Sequence, residues 1–465
     1  MNVLKILCGA MKRSVMGSPI NVISIIGTTG VGKSQFSIEL AKRYNGEIIN
    51  ADSMQMYKRL DIITNKHPIE EREGIEHHVM NHVDWDKEYV IHRFREEAMA
   101  KIKEIHERGK VPIIVGGTHY YLQSLLFNNK TIKTNEQILE EDDEMRNLEK
   151  KLTREELNIL NDSSPAELYS YLQKIDPIVS EKFHPNDSRR IKRCIEIFFL
   201  TKKRASDYYD EQAANKKFES SLNFNTLIFW LWSEQSVLAK RLDDRVDKML
   251  AEGGIDEINE LYRYYSSLKV KPDCEHGVFQ VIGFKEFLPW LDSNSLQDDL
   301  FKKSIMDMKT RTRRYAKRQV KWIKNSLARD LASESLHNFS NGGKIYVLNA
   351  TDLANWNDEV YQRGSSIAKK FLSSDAGQIL EPQTPEGLED LLPSFENNVD
   401  DHSIRTQNWK HYECDICKDD NGKPLVFVGE QYSIHLKSRK HRSYLNKGKK
   451  KREYEERLMS KRQTL

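Results

Sequence analysis

Cysteine is scarce, with five in 465 residues. So few cannot make the disulfide framework on which small secreted domains rely. Cys8, Cys194 and Cys274 stand alone while Cys414 and Cys417 form a tight pair, which implies a reducing compartment and one metal site. Long apolar runs are missing as well. The longest, Val22 to Ile26 and Leu227 to Trp232, are strand-sized, whereas a membrane helix needs ~20 apolar residues in succession. A helical membrane-spanning protein is therefore excluded. A strong excess of one charge is absent too: the formal net charge is +3, so the total names no partner. What is present is an ordinary soluble balance, 38% hydrophobic and 31% charged, which excludes wholesale disorder. The length allows about three folded units at ~150 residues each.

Charge is nevertheless unevenly placed. Residues 432–452 carry nine Lys or Arg and no acid, whereas 375–408 carry eight acids and only Arg405. Such a basic cluster is a solvated face, a nuclear address or a footprint for nucleic acid, and charge alone does not choose. The first 38 residues contain Lys5, Lys12, Arg13 and Lys33 but no acid, with apolar Leu4, Ile6 and Leu7 among them. Residues 1–20 thus read as a leader resembling a mitochondrial presequence. A start at Met11 would shorten it, so cytoplasmic and mitochondrial forms, and a nuclear one, are expected.

The β-branched run Asn21 to Ile26 leads into Gly27-Thr28-Thr29-Gly30-Val31-Gly32-Lys33-Ser34, and then into the helical pattern of Phe36, Leu40 and Ala41. Strand, glycine loop and helix in that order make the G-x4-G-K-S spacing a credible phosphate-binding loop. Glycines permit positive φ and close approach, so loop amides and the helix N-terminus can face phosphate oxygens. Lys33 would add a point charge, and Ser34 a hydroxyl ligand for Mg²⁺. Further apolar runs at 47–50, 78–83, 111–115, 226–232 and 344–348 alternate early on with helical stretches, which predicts a parallel, helix-covered sheet. Ligands of such sheets sit where the strands end, here at the loops carrying Lys33, Asp52 and Thr118.

Residues 21–119 are expected to form the first part of this core and 226–372 the second, with basic helices near Arg311 to Lys324. Between them, 120–225 reads as an inserted helical lobe that includes the acidic run Glu140 to Glu144. Residues 373–408 read as an acidic linker without a fold of its own. Cys414-x2-Cys417 followed by His435-x5-His441 supplies two thiolates and two imidazoles for tetrahedral structural Zn²⁺, placing a zinc finger at 409–448 and a basic tail at 449–465. A short basic helix carrying both histidines would present Lys437, Arg439 and Lys440 to RNA backbone, with a protein-binding finger as the other reading. His402 and His411 read as ordinary surface residues.

A phosphate loop alone most often belongs to a kinase or nucleotide hydrolase. Asp52 opens Asp52-Ser53-Met54-Gln55 after a strand and reads as a helix cap, a Mg²⁺ ligand or a catalytic group. The run 111–115 ends in Gly116-Gly117-Thr118-His119-Tyr120, without a carboxylate. Together with Asn186-Asp187-Ser188-Arg189-Arg190-Ile191-Lys192-Arg193, with Gly277-Val278-Phe279-Gln280-Val281-Ile282-Gly283-Phe284-Lys285-Glu286 and with Arg318-Gln319-Val320-Lys321-Trp322, these motifs resemble the tRNA dimethylallyltransferases (isopentenyltransferases). The C-terminal pattern resembles the U1- or matrin-type finger of eukaryotic members.

The resemblance implies transfer of a dimethylallyl group from dimethylallyl diphosphate to N6 of adenosine 37 of tRNA, with the glycine loop and Mg²⁺ holding diphosphate. It implies Asp52, at the ordinary carboxylate pKa near 4, as the base. Thr118 would place the reacting groups, with Asp52 itself, Ser53, Met54 and Gln55 on the tRNA side and Gln55 at the adenine edge. Arg189, Arg190 and Arg193 would hold tRNA phosphate or the diphosphate, a solvated helix face being the plainer reading. The expected fold is α/β, a P-loop NTPase-like parallel sheet with an inserted helical lobe plus a small C-terminal zinc finger, acting as a monomer on tRNA and away from membranes. A P-loop small-molecule or nucleotide kinase is the alternative, and a non-catalytic RNA-binding finger protein the third reading.

Overall fold

A computed structural model of the chain describes residues 20–128, 152–215, 220–336, 342–373, 382–392, 410–419 and 422–446. In chain order, β1 (Asn21–Gly27) leads through the glycine loop to α1 (Lys33–Tyr44), β2 (Gly46–Asn50) and β3 (His77–His78). Then come α2 (Ile91–Glu107), β4 (Val111–Val115) and α3 (His119–Leu126). A run of helices follows: α4 (Arg154–Asp162), α5 (Pro165–Ile175), α6 (Pro177–Ser180), α7 (Ser188–Thr201) and α8 (Ala205–Asn215). The chain returns to strand at β5 (Asn225–Trp232), passes α9 (Gln235–Met249), α10 (Ile255–Ser267), α11 (Phe284–Asp292), α12 (Asp298–Trp322) and α13 (Ala328–Leu336), and adds β6 (Gly342–Asn349) and α14 (Arg363–Leu372). It closes with β7 (His411–Lys418), β8 (Pro424–Val428) and α15 (Glu430–Leu436). These elements fall into two compact units, one drawn from 1–131 and 219–395, the other from 132–218 and 396–465.

The first unit is built on a six-stranded parallel sheet of order β3-β2-β4-β1-β5-β6. Both faces are covered. Ile26, Ile114 and Trp230 share one core with Phe94, Leu122 and Ile323, while Ile25, Ile113 and Phe229 share another with Phe36, Leu40 and Val360. Double burial is why β1 and β5 read as unbroken apolar runs. Because β4 lies between β1 and β2, the loops that follow all three strands open next to one another at the carboxyl edge.

Three segments differ from the sequence reading. The run at 78–83 yields only the two-residue β3, since Val79 and Asn81 adopt positive φ and leave strand geometry. Helix α3, expected in the lobe, buries Leu122, Leu125 and Leu126 in the first core. Part of the expected linker is also packed. Edge strand β6 has backbone groups to satisfy, and Gln383 accepts the Val347 N–H at 2.7 Å and donates to the Ile345 carbonyl at 2.9 Å. Leu391 follows it into the core. The leader, the acidic run 140–144, His402 and the tail from 449 lie outside the described residues.

In the second unit, capping boxes start α4 at Thr153 and α5 at Ser164, and Asp187 caps α7. Each provides partners for amides that a helix start leaves open. Leu168, Leu172, Ile191, Ile195 and Phe199 form its core. The antiparallel β7–β8 hairpin packs against this helical lobe through His411, which the sequence presented as a surface residue. Its Nε2 lies 2.9 Å from the Phe183 carbonyl and its Nδ1 3.2 Å from the Tyr169 hydroxyl, and His184 Nε2 lies 3.0 Å from the Val426 carbonyl.

Candidate active site

Between β1 and α1 the loop is shaped by its glycines. Gly30 and Gly32 have φ of 82° and 89°, which residues with side chains rarely adopt. A β-carbon on Gly27 would lie 2.4 Å from the Leu231 carbonyl oxygen, and one on Gly32 would lie 2.5 Å from the Trp356 ring. The loop is therefore packed directly on β5 and on that indole, whose Nε1 donates to Glu39 at 3.2 Å. Lys33 opens α1, its ammonium donating to the Thr28 carbonyl at 2.7 Å.

Asp52 stands beyond the end of β2, in a turn fastened on every side. Its Oδ1 accepts the Met54 amide at 3.1 Å, and its own amide donates to Asn50 Oδ1 at 3.0 Å. Thr118 lies across from it, where β4 gives way to α3. The Thr118 hydroxyl accepts the Ser53 amide at 3.0 Å and lies 3.2 Å from Ser53 Oγ. Gln55, expected at the adenine edge, spends its amide donors on the Thr64 and Asn65 carbonyls, at 3.2 and 2.9 Å. Ser34, Asn50, Gln55, His77, Met80 and Val115 border a small open cleft. Asp52 caps no regular helix, so the cap reading falls away.

A residue that sequence reasoning missed completes the electrostatics. Arg245 of α9 donates to the Thr29 hydroxyl at 3.1 Å and faces both Lys33 and Asp52. Burial pulls Lys33 down to about 8; Asp52 opposes that shift and Arg245 adds to it. Arg245 falls to about 10 by burial against the pull of Asp52. Burial pushes Asp52 above the ordinary carboxylate range, although the Met54 amide, Lys33 and Arg245 all hold it down. The base expected at an ordinary pKa is thus a stronger one. Two cations against one carboxylate leave the pocket with an unneutralised positive charge, which suits an anion. The only hint of Arg245 in the sequence is its place beside the buried stripe Leu238, Leu242 and Val246. His119, pushed down to about 3 by burial and by Lys33, hydrogen-bonds the Gly27 backbone as a neutral ring.

The chain is similar to known proteins along most of its length. A model of the IPP transferase family matches residues 55–326. The tRNA dimethylallyltransferase of Saccharomyces cerevisiae is 47% identical over 450 residues, 96% of each chain. The chain belongs to the IPP transferase family. The tRNA dimethylallyltransferase of Schizosaccharomyces pombe is 40% identical over 443 residues, 93% of this chain and 97% of its own. A crystallographically studied eukaryotic dimethylallyltransferase acting on tRNA superposes with a TM-score of 0.76 at 47% identity, covering 94% of this chain and 99% of that one. The family match starts at Gln55 and stops before the Cys/His residues, but the two yeast relatives align along nearly the whole chain.

The remaining expected site residues of this family member lie in the second unit. Arg189 is exposed on α7, Arg190 pairs with Asp187 and Arg193 donates to Glu196 at 2.7 Å. Cys414, Cys417, His435 and His441 are all buried, and one donor atom from each lies within 4.8 Å of the others. Both sulfurs lie 3.5 Å from His441 Nδ1, which is 3.1 Å from His435 Nε2. Tetrahedral zinc, with Zn–S about 2.3 Å and Zn–N about 2.0 Å, places neighbouring S and N donors roughly 3.5 Å apart, so the donor set fits. The histidines are not on one helix as expected: α15 carries His435 and stops at Leu436, and His441 belongs to the helical stretch 439–446. The break lets both rings face the thiols. Lys437, Arg439 and Lys440 are exposed around it.

Proposed function

We propose that the protein transfers the dimethylallyl group of dimethylallyl diphosphate to N6 of adenosine 37, beside the anticodon of tRNA. The observation that carries the mechanism is the surplus of positive charge that Lys33 and Arg245 build around the glycine loop, with Asp52 as the one carboxylate among them. The bond that breaks joins the allylic carbon to the bridging oxygen, and negative charge grows on that oxygen. Lys33, Arg245 and the loop amides stabilise it in place before the reaction begins. Ser34 would hold Mg²⁺ together with the diphosphate, and the ion would add to the same charge stabilisation. The bond that forms joins the carbon to N6, whose lone pair is delocalised into the ring and whose proton becomes acidic as bonding proceeds. Asp52, made more basic by burial, takes that proton. Thr118, fastened to Ser53, orients the groups on either side.

An adenine stacked in an anticodon loop cannot reach this pocket, so the base turns out of the stack, at least cost in a single-stranded loop. Arg189, Arg190, Arg193, Lys437, Arg439 and Lys440 are the proposed contacts to tRNA phosphates. Cys414, Cys417, His435 and His441 hold structural Zn²⁺. Incubation with labelled dimethylallyl diphosphate and unmodified tRNA, with ATP in a parallel reaction, tests the reading. Label is expected in tRNA without ATP. Phosphoryl transfer from ATP with no label in tRNA would return the kinase.

A further inference from the structure

Gln319 of α12 joins two parts of the site that are remote in sequence. Its Oε1 accepts the Thr29 N–H at 3.0 Å, and its Nε2 donates to the Gly117 carbonyl at 2.9 Å. The residue is 3% exposed, and its bond to Gly117 is buried. Thr29 belongs to the loop that would cradle the leaving group. Gly117 precedes Thr118, which is bonded to the residue after Asp52.

The surroundings show why this side chain is held in one place. Tyr315, one turn earlier on α12, donates its hydroxyl to the same Gly117 carbonyl at 3.2 Å, and Trp322 donates Nε1 to Gln123 of α3 at 3.1 Å. Residues 315, 319 and 322 share one helix face. Helix α12 therefore lays a row of polar groups along the carboxyl edge of the sheet. Position 117 must be glycine for this approach: a β-carbon there would lie 2.5 Å from Gln319 Nε2 and 3.4 Å from Asp52 Oδ2. The amide that links the two loops and the Asp52 carboxylate thus both border Gly117.

We propose that Gln319 is a positioning residue for the transfer, setting the separation between the diphosphate cradle and the Asp52–Thr118 turn. An in-line displacement needs the departing oxygen, the allylic carbon and the nucleophilic nitrogen aligned, and a misplacement of about 1 Å costs roughly 10²-fold in rate. The proposal rests on the reaction assigned above, and it adds to it a group that acts through the loops it joins. Its chemistry is specific, because one end of the side chain must accept and the other must donate.

Two variants test it, with tRNA transfer by the wild type as the control that separates failure of the clamp from failure of the assigned reaction. Gln319→Met keeps length and bulk but loses both bonds; kcat is expected to fall about 30- to 100-fold with the KM for tRNA within twofold. Gln319→Glu keeps the acceptor for Thr29 but lacks the donor until it is protonated. Its rate relative to wild type at the same pH should therefore climb several-fold between pH 8 and 5.5. A Gln319→Met enzyme within threefold of wild-type kcat would overturn the proposal. So would a loss confined to the KM for tRNA, a kcat that is normal per folded molecule by thermal melting, or a flat ratio for Gln319→Glu.

Discussion

Around the glycine loop, Lys33 and Arg245 set two cations against the carboxylate of Asp52, whereas Cys414, Cys417, His435 and His441 gather four lone-pair donors. The first pocket calls for an anion and the second for a cation. They also differ in what holds them before either arrives. The glycine loop rests on Leu231, Leu242 and Trp356, residues from three separate elements of its unit. The Cys/His donors lie 3.1 to 3.5 Å from His441 Nδ1, on a hairpin and two short helical pieces, with Phe427 stacked on His435. A site embedded in a two-sided sheet keeps its shape without its ligand, while a small module with little core depends on its metal for folding.

The largest expected effect concerns Asp52. Asp52→Asn should lower single-turnover transfer about 10³-fold and leave tRNA affinity within twofold; near-normal turnover would remove the proposed base. Arg245→Gln comes next, with transfer reduced about 10²-fold and weaker binding of dimethylallyl diphosphate. Because Arg245 depresses Lys33, the same variant should move the alkaline limb of diphosphate binding to higher pH, and an unmoved limb would separate the two cations. On the other side of the comparison, Cys414→Ser or chelation should release zinc and weaken tRNA binding about tenfold, with kcat at saturating tRNA within twofold. A glycine-loop unit that melted together with the finger would erase the contrast.

The smallest expected effect is a pH dependence. Burial pulls Lys33 down to about 8, and only its ammonium form attracts diphosphate. Affinity for dimethylallyl diphosphate should be level below that pH and decline a few-fold as pH rises past it, as titration calorimetry would read. Transfer should fall on the acid side as Asp52 takes up a proton, from a point above the ordinary carboxylate range because burial raises it.

Contiguous chemistry was legible in the sequence. The run Gly27 to Ser34 and the short turns at Asp52 and Thr118 each carry their own spacing, and parallel strands bring them together by rule. Groups that act across long separations were not. Arg245 is one arginine among many, and nothing near it in the chain announces that Thr29 lies beside it, 216 positions earlier. The basicity of Asp52 follows from burial, a tertiary property that no local pattern encodes. Gln383 resembled linker because its role is to complete the edge of β6, and His411 resembled a surface residue because its partners, Tyr169 and Phe183, precede it by more than two hundred positions.

That last separation has a consequence for how the molecule is made. Phe183 leaves the ribosome 228 residues ahead of the histidine that will bond to its carbonyl, with β5 and β6, the rest of the sheet, still to be synthesised. During that interval the insert has to persist without its final partner. A stop codon between Leu391 and His411 would yield a polypeptide with the supports of its glycine loop intact and a permanently uncovered lobe, which cellular quality control could recognise even though the machinery for chemistry had been completed.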